Sequence, residues 1–202
     1  MARRWWPNAV VAAAMLAVGF LLGDRIGEAE PQPPSFHDMR VSQPEEYLAL
    51  VDPSSPEVTD LARRLGTLEG CYLFVRDRVV FDPSRAAGTP AQILREGRAS
   101  CLGKATLLAS LYRALGVPAD SVRVVTGQVP FEGGLLEHAW VDLEYGSLCL
   151  QRDATDLFGV HDFLRFPLNG YVNTFVHREL YCFNEQSFAL VSQLNRLRGR
   201  HP

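Results

Sequence analysis

Lysine occurs once in this chain, at Lys104, and the other basic side chains are arginines apart from five histidines. No segment gathers basic residues into a cluster, and the formal net charge is −3 at pH 7. A nucleic-acid backbone is held by Lys and Arg assembled on one face, so nucleic acid is not an expected partner. The arginine bias itself reads as genome composition. Cysteine is sparse too: Cys71, Cys101, Cys149 and Cys182 include no CxxC and no pair at zinc-ligand spacing. That spacing speaks against redox and structural-metal chemistry, and nothing else in the sequence asks for a cofactor. Beyond Val58 there is no internal repeat and no low-complexity tract.

What is present suffices for one domain with appendages, since the chain has 202 residues of which 47% are apolar. At the start, Arg3 and Arg4 precede Trp5 and Trp6, and an apolar run from Ala9 to Leu22 ends before Asp24 and Arg25. A helix from Trp5 to Gly23 nearly spans a hydrocarbon core of about 30 Å. The tryptophans suit the membrane interface, and the positive flank directs the rest of the chain out of the cytoplasm. Residues 1–30 therefore read as a membrane anchor or a signal segment, because Gly27 and Ala29 also form a small-x-small pair open to cleavage. The expected location is extracytoplasmic, on the periplasmic or cell-surface side, and secreted if the segment is cleaved. Outside the cytoplasm one disulfide is allowed. Cys149 with Cys182 is the favoured pair, and three buried thiols are the alternative.

Residues 31–57 carry Pro31, Pro33, Pro34, Pro44, Pro53 and Pro56 among Glu, Ser and Gln, and read as an extended spacer. The folded domain is expected over 58–202. Apolar residues at three- and four-residue spacing predict a helix from Thr59 to Arg78, followed by a short extended piece, Val79 to Phe81. A second helix is expected from Thr89 to Arg95, capped by Thr89 with Pro90 at its first position. Ser100 caps a central helix that Gly116 and Pro118 end. Beyond it lie strand-like runs, Ser121 to Val129, Glu137 to Tyr145, Ser147 to Arg152 and Val172 to Phe183, and then a terminal helix, Gln186 to Arg198. Helices first and strands afterwards predict an α+β domain whose antiparallel sheet packs on the central helix.

Cys101 stands at the start of that helix, where free N–H groups and the macrodipole favour negative charge and could hold an oxyanion. Lys104, three residues on, is expected in solvent unless it folds back toward the helix start. A nucleophilic cysteine needs a base, and His138 opens the alternating strand His138-Ala139-Trp140-Val141-Asp142-Leu143 at its mouth. If Tyr145 and Gly146 form the hairpin turn, Asp153 lies directly opposite His138, within reach of the imidazole. Asp142, four residues along the strand, is about 13 Å from it. His161 and His177 read as surface or core groups. Trp140 reads as a core anchor on the strand face opposite His138, and the aromatics from Tyr171 to Phe183 read as packing.

Cys101, His138 and Asp153 have the types and order of a thiol triad. With FVRDRVVFDP before the site, KATLLASLYRALGVPAD after Cys101, His138-Ala139-Trp140 and Arg152-Asp153-Ala154-Thr155, the chain resembles the transglutaminase-like superfamily, relatives of papain-like thiol enzymes. The resemblance covers roughly Asp60 to Asp156. It implies acyl chemistry through a thioester: Cys101 as nucleophile, His138 as proton carrier and Asp153 as its orienter. The expected activity is an extracytoplasmic thiol hydrolase or acyltransferase on amide bonds, a peptidase or amidase first, with a peptide or protein as substrate. Ala99, Leu102 and Ala154 depart from the family's usual residues, and motivate the alternative of a degenerate module that binds a peptide or protein partner. No tryptophan precedes Cys101 within the domain to serve the oxyanion.

Overall fold

Part of the expected spacer is folded. Pro44–Leu48 forms a short helix, α1, whose Tyr47 is buried with its ring edge-on to Tyr181 at 5.2 Å and to Phe183 at 5.3 Å. The Asp52 N–H then donates to the Ser110 hydroxyl at 3.0 Å, so the segment is tied to the domain by both an aromatic anchor and a hydrogen bond. Proline content alone did not reveal this, because an already restricted chain loses less entropy on ordering and one buried aromatic can hold it. The computed structural model describes residues 44–145, 148–159, 163–164 and 170–191. The expected anchor or signal over 1–30 and the spacer up to residue 43 lie outside the described residues. Within them no helix is long and apolar enough to cross a membrane.

Four helices follow, each begun by a hydroxyl that accepts the backbone N–H three residues on, which satisfies a donor the helix itself cannot. Ser55 begins α2 (Pro56–Leu65), Thr67 begins α3 (Leu68–Arg78), Thr89 begins α4 (Pro90–Glu96) and Ser100 begins α5 (Cys101–Ala114). The single helix expected over 59–78 is therefore two. Gly66 takes φ 68° and ψ −13°, the left-handed conformation that ends α2, and Thr67 restarts the chain as α3. Between the helices, β1 (Val80–Phe81) and β2 (Arg98–Ala99) pair in parallel, so β2 delivers the chain straight into Ser100 and the start of α5.

The second half is a five-stranded antiparallel sheet of order β5-β4-β3-β6-β7. Its strands are β3 (Val122–Phe131), β4 (Gly134–Tyr145), β5 (Leu148–Arg152), β6 (Arg178–Phe183) and β7 (Phe188–Leu190). β3 and β4 run further than expected, because Glu132 and Gly133 take φ 49° and 82°, a two-residue turn of the twist that hairpins favour. The long strand expected over 172–183 is instead a short helix, α6 (Gly170–Phe175), and then β6. Phe188–Leu190 is strand where a terminal helix was expected, and its cross-strand partners Tyr181, Cys182 and Phe183 explain the change. Residues 192–202 lie outside the described residues. β5 and β6 are separated by β4 and β3, about 14 Å at the usual strand spacing, so Cys149 and Cys182 cannot form the favoured disulfide.

Every residue of α5 from Cys101 to Tyr112 is buried. The helix lies between α2, α3 and α4 on one side and β3 and β4 on the other, so it needs no polar face. Leu102, Leu107, Leu108 and Leu111 are each at most 1% exposed, and burial of each contributes about 2 kcal/mol. On the other face of the sheet, Val125, Trp140 and Cys182 form a second apolar cluster with Tyr171 of α6. This is the expected α+β architecture, with the cysteine helix held rigidly against the strand that bears His138.

Candidate active site

Ser100 Oγ accepts the Gly103 N–H at 3.3 Å, which fixes Cys101 as the first residue of α5. Cys101 keeps 6% of its surface, on a narrow cleft that it shares with His138, Leu102, Thr126, Glu137 and Tyr181. The thiol is thus presented at a helix start and at the floor of an opening. The remaining thiols offer a contrast: Cys71 is fully buried, and burial pushes its pKa up to about 12.

His138 and Asp153 meet. Nε2 of His138 is 2.9 Å from Oδ2 of Asp153, with the two side chains only 2% and 4% exposed. The ring N–H is not aligned along this contact, as is common before substrate tightens such a site. Nδ1 is left as the nitrogen for the sulfur. Burial opposes charge on His138. The Asp153 carboxylate 2.9 Å away and the Cys101 thiol prevail, and raise the imidazole above its ordinary value. Burial likewise opposes the Asp153 anion, but the imidazole and the N–H groups of Thr155 and Leu157 hold the carboxyl below its usual range.

The sequence paired the correct residues by a register that is off by two. β4 and β5 pair Tyr145 with Leu148 and Val141 with Arg152, so the ladder continued would set Asp153 beside Trp140. A shift of two residues leaves every side chain on its original face, and the chain turns after Arg152 to bring Asp153 to His138 along the diagonal. The same period corrects Trp140. Two residues from His138, it shares that residue's side of the strand, fully buried as expected of an anchor, with its ring 5.7 Å from that of Tyr171. Asp142 is engaged elsewhere, accepting Trp140 Nε1 at 3.2 Å and Gln151 Nε2 at 3.3 Å, while burial raises its pKa to about 7. His177 is exposed, and His37, His161 and His201 lie outside the described residues.

Sequence reasoning missed the supports of the carboxylate. Thr155 N donates to Oδ1 of Asp153 at 2.8 Å, Leu157 N to Oδ2 at 3.2 Å and the Tyr171 hydroxyl to Oδ2 at 3.1 Å. The Asp-x-Thr spacing carries the first as a common side-chain turn. Nothing local carries the last. Lys104 is also not in solvent: it is 2% exposed, and Nζ donates to the carbonyls of Arg76 at 3.1 Å and Val79 at 2.8 Å. Burial lowers its pKa to about 8, against the pull of Asp153. The side chain closes the C-terminal end of α3 and binds it to the first turn of α5. Lys104→Met should leave those two carbonyls without their donor and lower stability by about 3 kcal/mol, read from the urea midpoint of unfolding.

Among the described residues no cluster of His, Cys, Asp and Glu could hold a metal ion. The chemistry available is that of a thiol and an imidazole lining one cleft, with a carboxylate against the imidazole.

Residues 59–147 match the family model of the transglutaminase-like superfamily, a span that contains Cys101 and His138 and ends before Asp153. Among solved structures, LapG of Legionella pneumophila is similar at TM-score 0.50 and 16% identity, covering 75% of this chain and 94% of that one. Its calcium-bound form gives 0.49 and 18%, covering 67% of this chain and 75% of that one. A candidate cysteine protease from Cytophaga hutchinsonii gives 0.47 and 16%, covering 71% of this chain and 52% of that one. At these identities the likeness concerns the fold. No curated protein matches the sequence.

Proposed function

We propose that this chain, a member of the transglutaminase-like superfamily, is a thiol hydrolase of amide bonds in peptides or proteins, acting outside the cytoplasm and tethered or exported by residues 1–30. The observation that carries the reading is the contact of His138 with Asp153 on the cleft that Cys101 shares. A raised imidazole value means that His138 holds a proton beside the sulfur at neutral pH. The Cys101 thiolate attacks the amide carbonyl, and the Cys101 N–H, which has no acceptor within its helix, faces the developing oxyanion. His138 gives its proton to the leaving amine, the C–N bond breaks and a thioester remains. Neutral imidazole then takes a proton from water as it attacks, and collapse of that intermediate returns the thiolate and the imidazolium with a carboxylic acid product. Water is the acceptor in this scheme because nothing on the cleft marks a site for an amine.

The test needs no substrate. Iodoacetamide near neutral pH should alkylate Cys101 at least tenfold faster than Cys71, located by peptide mass mapping, since only a thiolate is nucleophilic and burial keeps Cys71 protonated. Equal rates at the two thiols in the native protein would remove the basis of the reading.

A further inference from the structure

The buried tyrosine of the short helix behind the site has a polar task. α6 places the Tyr171 ring, 1% exposed, between Trp140 at 5.7 Å and Phe175 at 5.4 Å, with Phe158 at 6.3 Å. The helix is itself tied to the strand, because the Val172 N–H donates to Oε1 of Gln151 at 3.0 Å and Gln151 also donates to Asp142. The ring has no freedom to swing away. Its hydroxyl therefore has a fixed address, Oδ2 of Asp153 at 3.1 Å, which is the same oxygen that faces Nε2 of His138 at 2.9 Å.

We propose that Tyr171 is a positioning residue for the candidate triad: by donating to Oδ2 it fixes the plane of the Asp153 carboxylate and so the orientation of the His138 ring toward Cys101. The two backbone donors alone do not achieve this. Thr155 N holds Oδ1, and Leu157 N reaches Oδ2 at 3.2 Å from the adjoining turn, so both come from the same short stretch as the aspartate and move with it. Tyr171 approaches from a separate element whose place is set by the sheet. Burial and the neighbouring carboxylate raise its phenol above the ordinary value, so it is a donor at neutral pH. This inference rests on the triad reading, and the experiment separates the two.

Tyr171→Phe removes one oxygen and keeps the ring among Trp140, Phe158 and Phe175. The rate of Cys101 alkylation by iodoacetamide is followed from pH 5 to 10 in the wild type, Tyr171→Phe, Asp153→Asn and Phe175→Leu, alongside the chemical shifts of the His138 ring. With only the two backbone donors left on the carboxylate, Tyr171→Phe is expected to slow alkylation at pH 7 about tenfold, the effect of losing one hydrogen bond to a charged group. The imidazole titration should move toward lower pH by at least half a unit. Phe175→Leu loosens the same aromatic cluster without touching Asp153. It should lower the melting temperature by as much or more and leave the pH profile where it was. That control keeps the test decisive even if Tyr171→Phe is itself destabilised. If Tyr171→Phe superimposes on the wild type while Asp153→Asn shifts the profile, Tyr171 is only packing. If neither moves it, the triad reading fails as well, and the inference with it.

Discussion

Cys101→Ala should abolish amide turnover while the protein stays folded. Removing a triad nucleophile costs about 10⁴- to 10⁶-fold in comparable enzymes, because the imidazole and carboxylate act only through it. The structural cost is small by comparison. Alanine keeps the Cβ and the first helical position, and the Ser100 cap does not involve the thiol. Loss of one sulfur at a cleft floor that already meets solvent should take about 1 kcal/mol from stability. The measurement is cleavage of a broad peptide and amide library by the soluble domain, wild type beside the variant, with thermal unfolding to confirm the fold. Products formed equally by both proteins would place the activity elsewhere. Binding of a peptide partner retained in both, with turnover in neither, would favour the degenerate module.

Asp153→Asn should be nearly as damaging and should also change the shape of the pH profile. In a serine triad the corresponding change costs about 10⁴-fold, since the amide leaves the imidazole in the wrong tautomer. Burial lowers the pKa of His138, and the Asp153 carboxylate, aided by the Cys101 thiol, raises it. Asparagine removes the carboxylate's share. The imidazolium is then lost at lower pH, so the alkaline limb of Cys101 reactivity should move toward acid, measured as alkylation rate against pH. The stability of the pair obeys the same signs. The raised imidazole contributes fully below its unfolded value and is lost as pH rises through the folded one. The depressed carboxyl contributes above its unfolded value and is lost as pH falls through the folded one. Wild type should therefore lose stability relative to Asp153→Asn at both extremes and exceed it in between by about 3 kcal/mol, the scale of breaking a buried pair. An alkaline limb that stays fixed in the variant would show that Asp153 does not govern the imidazole.

Some of this was legible residue by residue. Hydroxyl caps at Thr89 and Ser100, the stop at Gly116 and the alternation from His138 onward are short-range signals, and each reports a conformation settled within one turn or one strand. Gly66-Thr67 was overlooked because the apolar spacing runs through it. Glycine followed by a capping threonine is nonetheless a local stop and start. The aromatics from Tyr171 onward misled for a different reason. Their spacing fits packing in a strand, and whether α6 or β6 forms there depends on Gln151 and Asp153, which lie about twenty residues earlier.

The amino-acid order by itself determined which groups are candidates for chemistry and on what kind of element each sits: a thiol at a helix start, an imidazole at a strand mouth, a carboxylate after the next strand. Those features are local, set by capping, by the period of two along a strand and by the covalent proximity of a hairpin. Only the tertiary structure decided how they meet. It set the register that joins His138 to Asp153 diagonally, turned Lys104 inward onto the end of α3, and carried Tyr171 to the carboxylate oxygen that faces His138. These contacts join residues far apart in the chain, and their geometry follows from how the layers pack. No window of sequence contains both partners.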